Sequence, residues 1–260
     1  MSLLRTGALT MRFAGLVAVD GVDIAVDAGS IHALIGPNGA GKTTMFNLIS
    51  GLMQPTSGAI SLDGRDITGL AAHARAGLGM ARSFQNIRIF ASMTVLENVL
   101  TGLHCAIGPG LAATLLRLPG FGHAERAAVA RARAALDLVG LGARADDRAA
   151  ALAYGDQRRL EIARAVAGHP RLLLLDEPAA GMNPAESAAL SDLIRRIRDA
   201  GTTVLLVEHD MGFVMRLADR ITVLNFGRRI ADGPPADIRR DPAVITAYLG
   251  AKVAARLNAA

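Results

Sequence analysis

The chain has 260 residues, of which 51% are hydrophobic, and a formal net charge of +5. This length is sufficient for one large domain or two small ones with a proper core. A single cysteine excludes an intramolecular disulfide and suits a reducing cytosol. No apolar run approaches the ~18 residues of a membrane-spanning helix, and residues 1–10 lack the hydrophobic stretch of a signal peptide. The arginines are scattered, which favours a solvated surface over nucleic-acid binding.

The first part of the chain alternates between apolar and polar residues. This alternation within residues 8–35 predicts short antiparallel strands. Residues 58–62 predict another strand, and Asp63-Gly64 after it is typical of a hairpin turn. We therefore expect a small antiparallel β-layer beside the rest of the fold.

A glycine-rich loop follows the apolar residues 31–35, which predict a buried strand. Its sequence, GPNGAGKTT, matches the phosphate-binding loop G-x-x-x-x-G-K-[ST], and a predicted helix follows it. Strand, loop and helix together are the context that this motif requires. The residues predicted to bind the phosphates are Gly36, Pro37, Asn38, Gly39, Ala40, Gly41, Lys42, Thr43 and Thr44.

The glycines let successive backbone N–H groups point at phosphate oxygens, and the helix N-terminus adds its partial positive charge. We expect Lys42 to reach the β- and γ-phosphates and Thr43 to place its hydroxyl on Mg²⁺. Lys42 is one of only two lysines, and its compact ammonium suits a crowded phosphate site. Upstream, Phe13 either stacks on the adenine face or packs in the core.

The middle of the chain differs in composition from both ends. Residues 78–83 predict a strand, and residues 108–122, rich in glycine and proline, predict a loop. Three segments show helical spacing with many alanines, at residues 93–103, 124–139 and 156–168. This pattern predicts a helical subdomain, at about residues 90–170, inserted between two halves of a nucleotide-binding core.

Four leucines at residues 172–175 precede Asp176 and Glu177, which is the Walker B pattern of a buried strand ending in carboxylates. Asp176 is predicted to hold Mg²⁺, directly or through water. Glu177 is then placed to accept a proton from the attacking water. Paired carboxylates alone also suit another metal site or a helix cap, but the phosphate loop upstream favours the Walker interpretation.

A predicted amphipathic helix at residues 184–200 leads to a buried strand that ends near His209. The carboxyl ends of parallel strands form the ligand-binding edge of an open sheet, so His209 either binds the γ-phosphate or is a capping or surface histidine. The segment 221–231 predicts a hairpin and residues 243–249 a short helix. We expect one domain over residues 1–250 and a mobile C-terminal tail at 251–260.

One further stretch distinguishes among phosphate-loop proteins. Residues 152–165, LAYGDQRRLEIARA, open a predicted helix and resemble the LSGGQ signature of ABC-transporter ATPases. Phe84-Gln85 resembles the Q-loop of that family, residues 180–184 resemble its D-loop, and His209 its switch histidine. The segments most similar to the G-type ATPase subunits of branched-chain amino-acid importers are residues 84–90, 93–99, 154–159, 176–184 and 244–250.

This resemblance covers about residues 4–250 and implies an α/β fold. The fold is a P-loop NTPase core with a mostly parallel sheet, an antiparallel β subdomain and an inserted α-helical subdomain. It implies an enzyme that binds ATP and Mg²⁺ and hydrolyses ATP to power amino-acid import, peripheral on the cytoplasmic face of the bacterial inner membrane. The implied partners are a second ATPase subunit, two membrane permease subunits and, indirectly, a periplasmic binding protein, without nucleic acid.

In such a dimer, each ATP lies between one phosphate loop and the signature of the other subunit. The signature residues here are Ala153, Tyr154, Gly155 and Asp156. The resemblance implies that Gln85, Glu177 and His209 are catalytic and that Thr43, Gln85 and Asp176 surround Mg²⁺. Gln85 would also link this site to the helical subdomain, and residues 85–90 are candidates for the permease contact, although residues 87–90 equally suit core packing.

Two positions depart from the family pattern. Ala153 replaces the signature serine, which removes a hydrogen bond to a charged group that is worth roughly 1.5–3 kcal/mol. Asn183 replaces the D-loop aspartate and keeps hydrogen-bonding capacity without the charge. We therefore expect a heterodimer with two unequal sites, although the chain in isolation can form a homodimer.

Other functions fit parts of the sequence. A related importer ATPase for urea, amides or other amino acids stays open, since other subunits choose the cargo. A soluble ABC ATPase of DNA repair or translation usually carries coiled-coil insertions or tandem domains, and neither is evident here. A GTPase would carry an N-K-x-D motif, which neither lysine fits.

Overall fold

The computed structural model describes residues 1–83, 88–107 and 121–249. A four-stranded antiparallel sheet contains β1 (Ser2–Phe13), β2 (Leu16–Asp27), β4 (Ser57–Leu62) and β5 (Arg65–Asp66), in the order β2-β1-β4-β5. Asp63 and Gly64 form the predicted turn, with φ of 51° and 75°. The β-layer is confirmed, but β1 and β2 are two long strands rather than several short ones.

The second sheet contains β3 (Ile31–Ile35), β6 (Met80–Arg82), β7 (Leu172–Asp176), β8 (Thr203–Val207), β9 (Arg220–Asn225) and β10 (Arg228–Gly233). Its order is β10-β9-β3-β8-β7-β6, and all neighbours are parallel except the β9–β10 hairpin. Parallel strands covered on both faces read as continuous apolar runs, which is why the four leucines of β7 predicted this strand correctly.

The helices are α1 (Lys42–Ser50), α2 (Ala72–Gly77), α3 (Val95–Ile107), α4 (Phe121–Val139), α5 (Tyr154–Val166), α6 (Pro184–Asp199), α7 (Met211–Leu217), α8 (Pro235–Ile238) and α9 (Pro242–Leu249). Short 3₁₀ turns occur at Gly142–Arg144 and Ala149–Ala151. Helices α3, α4 and α5 pack against one another and form the predicted helical insertion. Within the described ranges, every helix is too short or too polar to cross a bilayer.

The predicted loop at residues 108–122 is wrong at its end, because Phe121 and Gly122 belong to α4. Residues 108–120 and 250–260 lie outside the described part of the chain, together with the expectations placed on them. Helical spacing continues through Gly122 because one glycine costs a helix only about 1 kcal/mol relative to alanine.

The central sheet separates two apolar cores. In β3, Ile31, Ala33 and Ile35 pack with the helical insertion, whereas Leu34 packs with α1 and the β-layer. Alternation along a strand sends successive side chains to opposite faces, so each strand contributes to both cores. The carboxyl ends of β3, β7 and β8 are therefore held firmly where the candidate site begins.

A buried arginine joins the β-layer to the nucleotide core. Arg75 of α2 is 0% exposed and donates hydrogen bonds to the carbonyl oxygens of Leu48 and Ile49, both at 2.7 Å. It also donates to the carbonyls of Leu70 at 2.9 Å and Thr68 at 3.0 Å. The guanidinium therefore binds the last turn of α1, where carbonyl oxygens lack the N–H partner four residues on that the helix interior provides.

Candidate active site

The predicted phosphate loop connects β3 to α1 and curls tightly. Gly36, Gly39 and Gly41 have φ of 154°, 80° and 98°. A Cβ atom on Gly36 would lie 2.2 Å from the carbonyl oxygen of Leu224, and one on Gly41 would lie 2.4 Å from that of Ala18. Only glycine fits where the loop passes so close to β9 and β2.

Hydrogen bonds fix the loop to both sheets. The Gly227 N–H donates to the Ala40 carbonyl at 3.1 Å, and the Asp20 N–H donates to the Gly227 carbonyl at 2.8 Å. Helix α1 then starts after Gly41 without a side-chain cap. Its first N–H groups and its dipole are therefore available to an anion.

Lys42 lies across this loop. Its ammonium donates to the carbonyl oxygens of Gly36 at 2.7 Å and Pro37 at 3.0 Å, and the residue is 9% exposed. Burial lowers the pKa of Lys42, and the negative charge of Glu177 partly restores it. Thr43, the next residue, is exposed. The arrangement places one cation and one hydroxyl at the start of α1, and their contacts with phosphate and Mg²⁺ stay predictions.

At the end of β7, Asp176 is anchored by an arginine that the sequence did not single out. Its Oδ2 accepts from the Arg82 guanidinium at 2.8 Å. Arg82 also donates to the Asn47 side chain at 2.8 Å and to the Ser50 hydroxyl at 2.7 Å. Its guanidinium lies 5.0 Å from the centre of the Phe46 ring. Arg82 therefore connects the Walker B carboxylate to α1.

Glu177 and His209 meet at the same edge of the sheet. The Nδ1 atom of His209 is 3.8 Å from Oε2 of Glu177, with the side chains 60% and 23% exposed. Glu177 has a φ of 46°, which is unusual for a residue with a side chain, and its N–H donates to the Val207 carbonyl at 2.9 Å. Strained backbone of this kind persists only where the surroundings hold it.

No role was predicted from the sequence for Glu208, which lies between β8 and His209. It is 1% exposed, and its two oxygens accept from the Ala179 N–H at 2.8 Å and the His209 N–H at 3.1 Å. Burial raises its pKa, against backbone hydrogen bonds that lower it. A carboxylate directly after a buried strand was the signal that identified Asp176, and the same signal was present here.

The oxygen donors near the loop suit Mg²⁺ shared with a phosphate. The Thr43 hydroxyl and the Asp176 carboxylate supply two hard ligands, and Mg²⁺ usually takes few protein ligands and keeps water and phosphate oxygens. In the described part of the chain, His, Cys, Asp and Glu side chains do not converge in groups of three that could hold a metal alone. The donor set therefore fits a nucleotide-bound cation.

The predicted signature starts helix α5. Ala153 is its N-cap residue and provides no side-chain hydrogen bond. The Tyr154 side chain is largely exposed, and its hydroxyl donates to the Ala180 carbonyl at 3.4 Å. Asp156 pairs with Arg144 at 3.2 Å and with Arg159 at 3.7 Å. The signature therefore contacts the predicted D-loop of its own chain.

In that D-loop, Asn183 caps α6. Its Oδ1 accepts from the N–H groups of Ala185 and Glu186, both at 3.0 Å, and the Glu186 carboxylate accepts from the Asn183 N–H at 2.9 Å. This reciprocal pair is a capping box. Asn183 therefore has a structural task in addition to the role predicted from its position.

The remaining predicted residues have different outcomes. Gln85 lies within residues 84–87, outside the described part of the chain. Phe13 is 39% exposed and pairs with Leu16 of β2. At Ala18 the same strand comes close to Gly41. The stacking of Phe13 on adenine stays a prediction. In the segment that follows Gln85, Ile89 packs against the helical core and Phe90 is 49% exposed.

Comparison with known proteins agrees with this geometry. Residues 19–180 match the family model of the ABC transporter, and residues 228–254 match that of the branched-chain amino acid ATP-binding cassette transporter. The chain is 49% identical to the branched-chain amino acid transport protein BraF of Pseudomonas aeruginosa, over 95% of this chain and 98% of that protein. It is 48% identical to LivG of Escherichia coli K12, over the same shares.

A solved structure of an ATP-binding cassette of an ABC transporter, in its ADP conformation, superposes with a TM-score of 0.84. It is 31% identical, and the match covers 96% of this chain and 99% of the other. The family match spans more than half of the chain, and the relatives are matched over nearly their whole length. The chain therefore belongs to the ABC transporter family, as an ATP-binding subunit that hydrolyses ATP.

Proposed function

We propose that this subunit powers the import of branched-chain amino acids across a bacterial inner membrane, from its cytoplasmic face. The evidence for the identity of the cargo is the similarity to BraF and LivG, which extends through the C-terminal segment matched by the branched-chain family model. The observation that carries the chemistry is the convergence of Lys42, Asp176, Glu177 and His209 at the carboxyl ends of β3, β7 and β8.

In this proposal the loop N–H groups, the α1 dipole and Lys42 bind the β- and γ-phosphates. Thr43, Gln85 and Asp176 would hold Mg²⁺, which supplies positive charge where the phosphoryl group transfers. Glu177 accepts a proton from the attacking water, and His209, 3.8 Å away, faces the γ-phosphate. Phe13 stacks on the adenine.

The second half of each nucleotide site comes from a partner subunit. The N-terminus of α5 carries Ala153 without a side-chain cap, so its N–H groups and the Gly155 amide can meet the partner's γ-phosphate. The partner is a second, related ATPase, and the site completed by Ala153 is the weaker of the two. A homodimer that hydrolyses ATP as fast as the mixed dimer would contradict this inequality.

The permease subunits dock at a groove that Phe90 lines. This groove of about 580 Å³ lies between the β6 edge of the sheet and the helical insertion. Its lining includes Ala81, Arg82, Phe90, Gly102 and Arg164. Phe90 is half-exposed at its rim, and buried Asn98 holds the Phe90 backbone by hydrogen bonds at 2.7 and 3.0 Å. An exposed apolar side chain on a groove wall, with its backbone held in place, suits a helical segment of a membrane subunit.

The decisive experiment combines turnover with uptake. We expect Glu177→Gln to keep ATP affinity and to lower turnover at least about 100-fold, because a general base contributes 10²–10⁴-fold. Glu125→Gln, an exposed change on α4, is the matched control and keeps wild-type turnover.

In cells with the cognate permease and binding protein, the wild type supports leucine uptake and Glu177→Gln abolishes it. Uptake of urea or an amide instead of leucine would overturn the proposed identity of the cargo. Full turnover by Glu177→Gln would overturn the role of the glutamate.

A further inference from the structure

Glu208 joins two segments of the active site that are distant in sequence. One oxygen accepts from the N–H of Ala179, two residues after Glu177, and the other accepts from the N–H of His209. Both bonds are formed by a carboxylate that is 1% exposed. Hydrogen bonds to a charged acceptor are about twice as strong as neutral ones, so a buried carboxylate holds both segments firmly.

The turn that receives the first bond carries Glu177. The Ala180 N–H donates to the Glu177 carbonyl at 3.2 Å, so residues 177–180 form one tight turn. Glu177 has a left-handed φ of 46° at its start. Because such a conformation costs about 1–3 kcal/mol, it needs anchors on both sides. The Glu177 N–H bond to Val207 is one anchor, and the Ala179 N–H bond to Glu208 is the other.

The second bond fixes the chain at His209. The residue that follows, Asp210, caps α7 by accepting from the Phe213 N–H at 3.1 Å. His209 therefore lies between two anchored residues although its own side chain is 60% exposed. The Glu208 carboxylate also receives a backbone hydrogen bond from Asp210, and its Oε2 lies 3.8 Å from Nδ1 of His209. It therefore holds the Glu177 turn and the His209 segment together.

We propose that Glu208 is a positioning residue for ATP hydrolysis, which sets the separation between Glu177 and His209. The inference rests on the proposed roles of those two residues. Glu208 is 1% exposed, and its carboxylate is bonded to backbone N–H groups. It acts on the chemical step, because a catalytic group displaced by about 1 Å can lose about 100-fold in rate.

The test is the Glu208→Gln variant. Its amide can accept one backbone N–H but presents its NH₂ group to the other, so one segment is released. We expect kcat to fall at least about 10-fold while the KM for ATP and the dissociation constant of a fluorescent ATP analogue stay within about threefold.

Asp219→Asn is the matched control. The Asp219 carboxylate also accepts a backbone N–H, that of Ile31 at 2.8 Å, but at the opposite end of the sheet. Any loss of stability is read from the melting temperatures of both variants. Asp219→Asn should keep its kcat. An equal fall of kcat in both variants, or a loss of nucleotide binding by Glu208→Gln, would show a role in stability only and overturn the proposal.

A double variant tests whether Glu208 acts through the histidine. If it does, Glu208→Gln combined with His209→Ala is no more than about threefold slower than His209→Ala alone. Losses that multiply with both His209→Ala and Glu177→Gln would overturn the proposal, since Glu208 would then act through neither residue. Glu177→Gln measured in parallel separates the two ideas: a slow Glu177→Gln with a normal Glu208→Gln rejects the positioning role alone, whereas a normal Glu177→Gln rejects the proposed chemistry.

Discussion

Helices α1 and α6 both begin near the nucleotide edge, but they satisfy their first N–H groups in opposite ways. Helix α1 starts at Gly41, whose left-handed backbone offers no side-chain acceptor. Helix α6 starts at Asn183, which forms a complete capping box with Glu186. The first helix leaves its donors to a ligand, and the second uses them within its own chain. A helix N-terminus is therefore an anion site only where the protein itself does not occupy it.

Helix α5 resembles α1 in this respect, because Ala153 gives its N-terminus no side-chain cap. The short helices α2 and α8 also begin without one. An uncapped N-terminus is therefore not enough to identify an anion site. At α1, the glycines of the loop and Lys42 complete the identification. In the first turn of α5, Asp156 pairs with Arg144 and Arg159.

The largest effect is expected from a variant that distorts the backbone at the start of α1. Gly41→Ala would place a Cβ atom 2.4 Å from the Ala18 carbonyl oxygen, at a φ of 98°. We expect the dissociation constant for ATP to rise at least about 30-fold, which corresponds to ~2 kcal/mol of strain. The measurement is a titration with a fluorescent ATP analogue.

Gly29→Ala is the control for this variant. Gly29 also has a left-handed φ, of 69°, but open space around it and no part in the loop. It should lose some stability and keep its affinity. Wild-type affinity in Gly41→Ala would contradict the assignment of this helix start.

An intermediate effect is expected from opening the start of α6. Asn183→Ala removes the acceptor of two N–H groups and should cost about 1 kcal/mol of unfolding free energy. For a chain of this size the melting temperature falls by roughly 2–4 °C. Asn183→Asp keeps an acceptor and should melt close to the wild type, since the two residues cap almost equally well. A fall of equal size in both variants would exclude the cap as the cause.

The smallest effect is expected from adding a cap to α5. Ala153→Ser supplies a hydroxyl at the N-cap and should raise the melting temperature by about 1–2 °C, because a serine cap contributes ~0.5 kcal/mol or more over alanine. Ala153→Val adds size without an acceptor and should give no increase. An equal increase in both variants would attribute the gain to packing and remove the distinction between α5 and α6.

The sequence predicted the layers of this fold well, because its strongest signals are local. The leucines before Asp176 and the glycines before Lys42 are contiguous in the chain, and each is sufficient to place a strand end or a loop. The structure confirmed the two sheets and the helical insertion. The error at Phe121 and Gly122 arose because a loop was assigned from composition, whereas the helix extends through that glycine.

The residues that were missed act at long range. Arg82 reaches Asp176 across 94 positions of sequence, and Glu208 reaches Ala179 across 29. A single sequence carries no signal for such pairs, although Glu208 by itself shared the strand-end position that identified Asp176. Asn183 was noted because it lacks the charge of the family's aspartate. Its capping box with Glu186 was missed, although a capping residue followed three positions later by glutamate is a local sequence signal.

Helix α1 has the buried Arg75 at its C-terminal end and the predicted phosphate site at its N-terminal end. The Arg75 guanidinium lies at the carbonyl end of α1, where the helix dipole is negative, while the opposite end faces the predicted phosphates. Cation and anion thus polarise the helix in the same direction. Ala76 and Gly77, which follow Arg75 on α2, line the groove beside β6. In the proposed docking mode, a permease segment in that groove would contact the helix whose arginine holds the last turn of α1.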